Sequence, residues 1–359
     1  MSIKVIFMKA SILSTTESAA YGAKLAGVEV VPHFPAPFSV DIVKTLSKIH
    51  NCDVFDVTAA GDAFAAAIGS AATGKRTLIP TSSPFSYEVL AAPFMRLPFV
   101  AVNMSRSQHG IKIDHTSIMA LRDAGYLMFF PETNQEIYDT VVQAYKICED
   151  QKVMLPAIIN VDGLPSFSEP VQIANDQSVK TFLTKYKASK LDMKKPFHLD
   201  IYSNKYGDGK LQMNKGMEGA LELTKKVDEQ WKQKFHRSYG LVEHHTLEDA
   251  ETVIVTMGYH SSTAKAAVRR MRAEGKKVGL LRIRVFRPWP REAVAKALEN
   301  AKKVVIFEQA VSIGAGGILR AHIGKGSQLI CLGKYPSEKD FMEAVSRVEK
   351  SDKDIKLWL

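Results

Sequence analysis

The sequence predicts an α/β fold built on two parallel sheets, and three observations carry that reading. Short apolar runs alternate with helix-length segments; the runs lack the in–out alternation of half-exposed strands; and the alternation breaks off near residue 162 and resumes at residue 252. Strands buried on both faces read as continuous apolar runs, and strands alternating with helices fit a parallel sheet covered on both sides. A chain of 359 residues suffices for two or three domains at about 150 residues each.

In the first part, strands are expected at Val28–Val31, Val54–Val57, Thr77–Pro80, Phe99–Asn103, Tyr126–Phe130 and Ala157–Val161. Helices are expected between them at Glu17–Ala26, Val40–Ile49, Asp62–Ala72, Thr116–Asp123 and Gln135–Glu149. Ser14, Thr15 or Thr16 supplies an N-cap for the first helix and Gly27 closes it. Pro35 and Pro37 mark a loop after the first strand, with Ser39 available to cap the next helix. In the second part, Val253–Thr256, Val278–Ile283, Val304–Phe307 and Leu329–Leu332 read as strands, and Thr263–Arg272, Arg291–Asn300, Ile318–Ile323 and Glu338–Arg347 as helices. The expected organisation is residues 1–165, a lysine-rich linker and helical excursion over 166–247, and a smaller α/β domain over 248–359. The excursion should end in an amphipathic helix near Leu221–Phe235.

Composition narrows the function. At 46% hydrophobic and 24% charged residues, the chain is an ordinary folded protein. Three dispersed cysteines with no C-x-x-C pair exclude a disulfide scaffold and a cysteine-built zinc or iron–sulfur site from this chain alone. Lys4 and Lys9 interrupt the apolar N-terminus and no 18-residue apolar run exists, so neither a signal peptide nor a membrane span is expected, and a cytoplasmic home fits. The net charge of +10 is concentrated between Lys180 and Arg237, where 14 basic residues face 7 acidic ones. A nucleic-acid surface is one reading of that stretch. A solvated segment, or a surface for an acidic partner, is the other. Without a helix-turn-helix, zinc-finger or RNP pattern, no nucleic-acid partner is expected.

Few motifs carry chemistry. Gly314-Ala315-Gly316-Gly317 follows a strand and opens a helix, but Leu319 breaks the dinucleotide fingerprint. These glycines are expected to let the helix pack closely on the sheet, or to leave room for an anion at its N-terminus. Arg106, Asp114 and His115 share the segment after the Phe99–Asn103 strand. They either position an anionic substrate, with Arg106 gripping a carboxylate, or form a structural Asp–His pair capping the next helix. His109 and His115 lack a third ligand at metal-binding spacing, and Ser82-Ser83 lacks a nucleophile elbow.

Taken in order, the blocks TTESAAYGAKLAGVEVVPHFPAPFS, AFAAAIGSAATGKR, EVLAAPFMRLPFVAVN, IDHTSIMALRDAG, VMLPAIINVDG and ETVIVTMGYHSSTAKAAVRRMRAEGKKVGLLRIRVFRPWP resemble the alpha subunit of the 2-oxoacid:ferredoxin oxidoreductases, the pyruvate synthase-like family. The resemblance implies a thiamine-diphosphate pyrimidine-binding fold followed by a transketolase C-terminal-like domain. It also implies an active site shared with a beta subunit, which carries the diphosphate-binding domain, Mg²⁺ and a [4Fe-4S] cluster. Gamma and ferredoxin-like delta subunits would complete the complex, and ferredoxin or a similar carrier would accept electrons. The implied reaction is oxidative decarboxylation of a 2-oxoacid, with coenzyme A as acyl acceptor, or the reverse CO₂-fixing synthesis.

Carried over by position, Arg106 matches the family's carboxylate-binding arginine, and Asp114-His115 are retained. Pro35, Ala60 and Asp62 fall in the cofactor-facing blocks. Ala60 stands where the family has the glutamate that protonates the aminopyrimidine, Pro37 where it has a substrate-contacting threonine, and Thr116-Ser117 follow His115 in place of Ser-Asp. Asp62, two residues on, points about 200° away from Ala60 on a helix. Two readings result: an active subunit with an unusual pyrimidine site, made more apolar by Pro37 and Phe38, or a catalytically degenerate member that supports its partners.

Overall fold

In the computed structural model, the residues described are 9–82, 86, 88–107, 112–162, 167–186 and 206–359. Ser83, His109, the first expected domain boundary and residues 187–205 of the lysine-rich segment lie outside them.

The first part runs β1 (Lys9–Ser14), α1 (Thr15–Ala26), β2 (Val30–His33), α2 (Ser39–Ile49), β3 (Asp53–Asp56), α3 (Ala60–Ala72), β4 (Leu78–Thr81), α4 (Ala91–Phe94), β5 (Val100–Ser105), α5 (Thr116–Met119), β6 (Leu127–Phe129), α6 (Asn134–Cys148) and β7 (Ala157–Asp162). Strands β4, β5, β7 and β6 form a parallel sheet. A bridge from Val30 to Thr77 sets the parallel pair β2–β3 beside β4. Ser14 caps α1 in a reciprocal box with Glu17, and Gly27 closes the helix in the left-handed conformation, φ 70°.

Next come β8 (Ser168–Ile173), α7 (Asp176–Phe182), α8 (Tyr206–Phe235) and β9 (Val242–His245). The remainder is β10 (Thr252–Met257), α9 (Ser261–Ala273), β11 (Val278–Ile283), β12 (Val285–Arg287), α10 (Arg291–Ala297), β13 (Lys303–Glu308), β14 (Val311–Ser312), β15 (Gly316–Gly317), α11 (Ile318–Ile323), β16 (Ser327–Ile330), α12 (Glu338–Glu349) and β17 (Lys356–Trp358). The second sheet has the order β17-β16-β13-β10-β11-β9, parallel except for β9.

Several expectations need correction. The amphipathic helix expected near Leu221–Phe235 forms and ends at Phe235, but it starts earlier, as the 30-residue helix α8 from Tyr206. Ala220, Thr224, Val227, Trp231 and Phe235 recur at three- and four-residue spacing along it and are buried. The Trp231 ring lies 4.9 Å from that of Phe182 and 4.1 Å from that of Phe235. The lysines at 210, 215, 225, 226 and 232 take the exposed side. Ser39 does not cap α2; its hydroxyl donates to Ala36 O and bonds the His33 ring, while Phe38 occupies the cap position at φ 69°. The helix expected over Thr116–Asp123 stops at Met119, and Gly125, at φ 102°, turns the chain into β6.

The two sheets are joined by more than a connector. Strand β12 leaves the second part and pairs antiparallel with β6, completing the first sheet. One core cluster holds side chains from both parts, among them Phe64, Phe99, Tyr126 and Phe130 with Val255, Ile283, Phe286 and Ile306. Beside it lies a buried ionic network. Glu136 of α6 accepts from Arg282 Nη1 at 2.9 Å and Arg284 Nε at 2.9 Å; Arg282 also meets Glu132 and Glu243, and Lys265 bridges those two carboxylates.

Candidate functional site

Parallel strands expose helix N-termini and loops at their carboxyl edge, and ligands bind there. Across the first sheet that edge presents, strand by strand, Ala60 after β3, Pro35 after β2, Ser82 and Glu88 after β4, Arg106 after β5 and Asp162 at the end of β7. Neighbouring strands lie about 4.8 Å apart, which separates the Ala60 end from Arg106 by roughly 15 Å. The edge therefore holds two clusters.

At the first cluster, Pro35 and Asp62 are exposed and Ala60 is half-buried. The Asp62 carboxylate turns back on its own helix, accepting from Thr58 Oγ1 at 2.7 Å and Ala59 N at 3.0 Å. It is committed to closing the start of α3, where Ala59 has no side-chain acceptor to offer. Phe38 packs against the first core. Directly beside Ala60, Gly61 leaves a space used by another element: a Cβ there would lie 2.5 Å from Glu88 Oε2 and 3.2 Å from Ser86 Cβ. The Ser86 hydroxyl is buried without a hydrogen-bond partner among the described residues.

The second cluster joins the two parts of the chain. Arg106 is half-buried at the end of β5. Asp114 and His115 do not pair with each other. Asp114 Oδ1 accepts from Thr116 N at 2.7 Å, capping α5, and its carbonyl accepts from Ser105 Oγ. His115 is wholly buried against Phe130, its N–H donating to Gln309 O at 2.9 Å and its Nε2 lying 2.5 Å from Asp162 Oδ1. Asp162 Oδ2 accepts from Tyr259 N at 2.7 Å, an approach that Gly258 permits because a Cβ there would sit 2.5 Å from the same oxygen. Burial works to raise the Asp162 carboxyl, but His115, His260 and the Tyr259 N–H together hold it below its ordinary value. His260 is buried with neither ring nitrogen hydrogen-bonded among the described residues, and burial, with His115 nearby, pushes it down to about 4 against the pull of Asp162.

Sequence reading located Arg106, His115, Pro35, Ala60 and Asp62 on this edge but missed Glu88, Asp162 and His260. At the first cluster a glycine, the orphaned Ser86 hydroxyl and the Glu88 carboxylate meet at a helix start, polar groups of the kind that would hold the pyrimidine half of thiamine diphosphate. Among the described residues, no three His, Cys, Asp or Glu side chains gather as a metal site. Of the glycines at 314–317, Gly317 brings the start of α11 close onto the sheet, where a Cβ would meet Glu308 of β13 and Gln328 of β16. Gly317 makes room for Glu308, whose carboxylate accepts from Leu319 N and Arg320 N at 3.1 and 2.7 Å, so the anion at the start of α11 is the protein's own.

Residues 21–233 match the sequence family described as pyruvate flavodoxin/ferredoxin oxidoreductase, thiamine diphosphate-binding, and residues 250–349 match pyruvate:ferredoxin oxidoreductase core domain II. The chain belongs to the pyruvate:ferredoxin oxidoreductase family. Within that family it is 34% identical to the pyruvate synthase subunit PorA of Methanocaldococcus jannaschii, over 97% of both chains. It is 30% identical to the ketoisovalerate oxidoreductase subunit VorA of Pyrococcus horikoshii, over 96% of this chain and 91% of that one. Among solved structures, it is similar to a 2-oxoglutarate:ferredoxin oxidoreductase from Magnetococcus marinus, with TM-score 0.72 and 16% identity, covering 94% of this chain and 65% of that chain. A split-gene transketolase, TM-score 0.51, shares the fold more distantly. Among the described residues no helix is long and apolar enough to cross a membrane.

Proposed function

We propose that this chain is the alpha-type subunit of a thiamine diphosphate-dependent 2-oxoacid:acceptor oxidoreductase, with coenzyme A as acyl acceptor. The observation that carries this reading is the single carboxyl edge of the first sheet, on which the start of α3 at Ala60 and Gly61 and the half-buried Arg106 both lie. In this reading residues 1–165 form the pyrimidine-type domain, 166–247 the connecting segment and 248–359 the transketolase C-terminal-like domain; the gap between the two family matches, 234–249, supports the second boundary. A beta subunit supplies the diphosphate-binding domain with Mg²⁺ and a [4Fe-4S] cluster, gamma and ferredoxin-like delta subunits complete the complex, and ferredoxin takes the electrons.

When bound, thiamine diphosphate supplies the carbon nucleophile and electron sink that 2-oxoacid decarboxylation requires. Arg106 offers a planar pair of donors to the substrate carboxylate. His115 is too deeply buried to meet substrate and acts as a positioning residue: pinned to Asp162 and to Gln309 O, it fixes the segment that follows Arg106. Pro35 and Asp62 shape the cofactor-facing edge.

The test is co-expression with the partner subunits, followed by 2-oxoacid-dependent reduction of an artificial acceptor. Turnover on at least one branched or unbranched 2-oxoacid is expected, with Arg106→Gln raising KM more than it lowers kcat. No turnover across a 2-oxoacid panel, with cofactor shown to be bound, refutes the reading.

A further inference from the structure

Arg106 rides on a narrow stem. Ser105 Oγ donates to Asp114 O at 2.6 Å and Ser107 N to Lys112 O at 2.8 Å, so the residues on either side of Arg106 are both tied across to the returning chain. Bonds within the stem hold its two sides together; its direction is set by what it rests on. The returning side, Lys112 to His115, rests on the second part of the molecule. His115 N donates to Gln309 O, just after β13, and a Cβ on Gly333, after β16, would lie 3.5 Å from Lys112 Cδ.

The third contact runs through Asp162, which is the register partner of Ser105 on the neighbouring strand. Its carboxylate divides between the two parts: Oδ1 meets His115 Nε2 at 2.5 Å, and Oδ2 accepts from Tyr259 N, after β10, at 2.7 Å. The stem is thus docked on the carboxyl ends of β10, β13 and β16, three neighbouring strands of the second sheet. The His115 and Asp162 side chains are wholly buried, and a buried carboxylate deprived of either donor would stay desolvated without compensation. Gly258 leaves the room this clasp occupies. It stands at φ 73°, and a Cβ there would lie 2.5 Å from Asp162 Oδ2 and 3.5 Å from His115 Cε1.

We propose that Asp162 and Gly258 are positioning residues for 2-oxoacid binding: through them the carboxyl edge of the second sheet aims the stem that carries Arg106, and with it the grip on the substrate carboxylate. The inference rests on the reading of Arg106 given above. Neither residue touches substrate. Each acts by holding the stem in place, and misplacing a binding group by about 1 Å can cost roughly 10²-fold. The second part of the chain thereby takes a share in substrate affinity, although Arg106 belongs to the first.

The experiment is a double-mutant cycle of Gly258→Ala and Arg106→Gln in the assembled complex, saturated with thiamine diphosphate and Mg²⁺. It reads steady-state KM and kcat for pyruvate, or for 2-ketoisovalerate where that is the better substrate. Gly258→Ala, whose new carbon must displace the Asp162 carboxylate, should raise KM about 10- to 100-fold and lower kcat by a smaller factor, with cofactor content unchanged. In the Arg106→Gln background the same substitution should change KM by less than about twofold, because the group it acts through is already gone. An unchanged KM in Gly258→Ala alone overturns the proposal. So does additivity, in which Gly258→Ala raises KM by the same factor with or without Arg106. Asp162→Ala approaches the clasp from the other side and must give the same non-additive pattern; it decides if Gly258→Ala does not assemble. A KM that Arg106→Gln itself leaves unchanged would instead strike the reading of Arg106 as the carboxylate grip, so the two failures are distinguishable.

Discussion

Removing Glu136 from the buried ionic network should separate the two halves of the molecule energetically. The network contains three carboxylates, Glu132, Glu136 and Glu243, and three cations, Lys265, Arg282 and Arg284, so it is neutral as a whole. Glu136 is 1% exposed and is the carboxylate that contacts both guanidinium groups. In Glu136→Gln, Arg282 keeps Glu132 at 3.3 Å and Glu243 at 2.7 Å. Arg284 keeps only neutral acceptors, Gly240 O, Thr140 Oγ1 and Gln143 Oε1. The variant thus buries one uncompensated positive charge, a defect that costs about 3–5 kcal/mol. At roughly 2–4 °C per kcal/mol for a chain of this order, the midpoint of thermal unfolding should drop by about 10 °C. Adding Arg284→Met restores neutrality and should recover at least 1 kcal/mol relative to additivity. Urea unfolding of the four proteins measures both quantities. A single-variant loss under about 1 kcal/mol, or strict additivity in the double variant, would refute the charge-balance argument.

Three further predictions follow from the same structure. Trp231→Ala should cost about 3–5 kcal/mol in unfolding free energy, because its ring is fully buried against Phe182 and Phe235; a neutral outcome would mean that α8 is a detachable surface element. Gly317→Ala places a carbon 2.1 Å from Glu308 Oε1 and should cost about 1–3 kcal/mol, measurable as a lowered urea midpoint. The third concerns pH. Burial pushes the Glu308 carboxyl up to about 7 from 4.5, against the lowering effect of the α11 amides. The folded chain then holds the proton more tightly, so stability falls as pH rises through that window, by an amount of order 3 kcal/mol. His260, pushed down to about 4 from 6.5, acts in the opposite sense, losing stability as pH falls through that range. Glu308→Gln should abolish the first slope in urea midpoints between pH 5 and 7 and leave the second; an unchanged slope rules out Glu308 as its source.

Strands with uninterrupted apolar runs were legible in the sequence because burial on both faces leaves a continuous signature. β11 reads that way over Val278–Ile283 and forms over those residues. Arg282 inside that run was the visible sign of the ionic network, since a guanidinium in a buried strand demands partners. β1 and β8 were not legible: their antiparallel pair sits outside the main sheets, and β8 is largely exposed. The second half of α8 was legible near Leu221–Phe235, but its first half was obscured by the glycines at 207, 209, 216 and 219 and by its exposed lysines. At the candidate site, the loops following strands could be placed in order, but Glu88 could not be found. Its relevance arises from a side chain that Gly61 lacks, 27 residues away, and no periodicity records that meeting.

The antiparallel strand β12 also sets a timetable for synthesis. Phe129 leaves the ribosome 156 residues before Val285, its partner across the ladder. At translation speeds of about 5–20 residues per second, roughly 8–30 s pass before that partner exists. Throughout that interval the nascent first sheet ends in β6 with one row of backbone donors and acceptors unclaimed, the kind of edge that recruits strands from other chains. A gene truncated anywhere between β7 and β12 should therefore yield a product that aggregates rather than a smaller folded protein, and the intact chain should depend on chaperones most while the stretch between β7 and β12 is still being made.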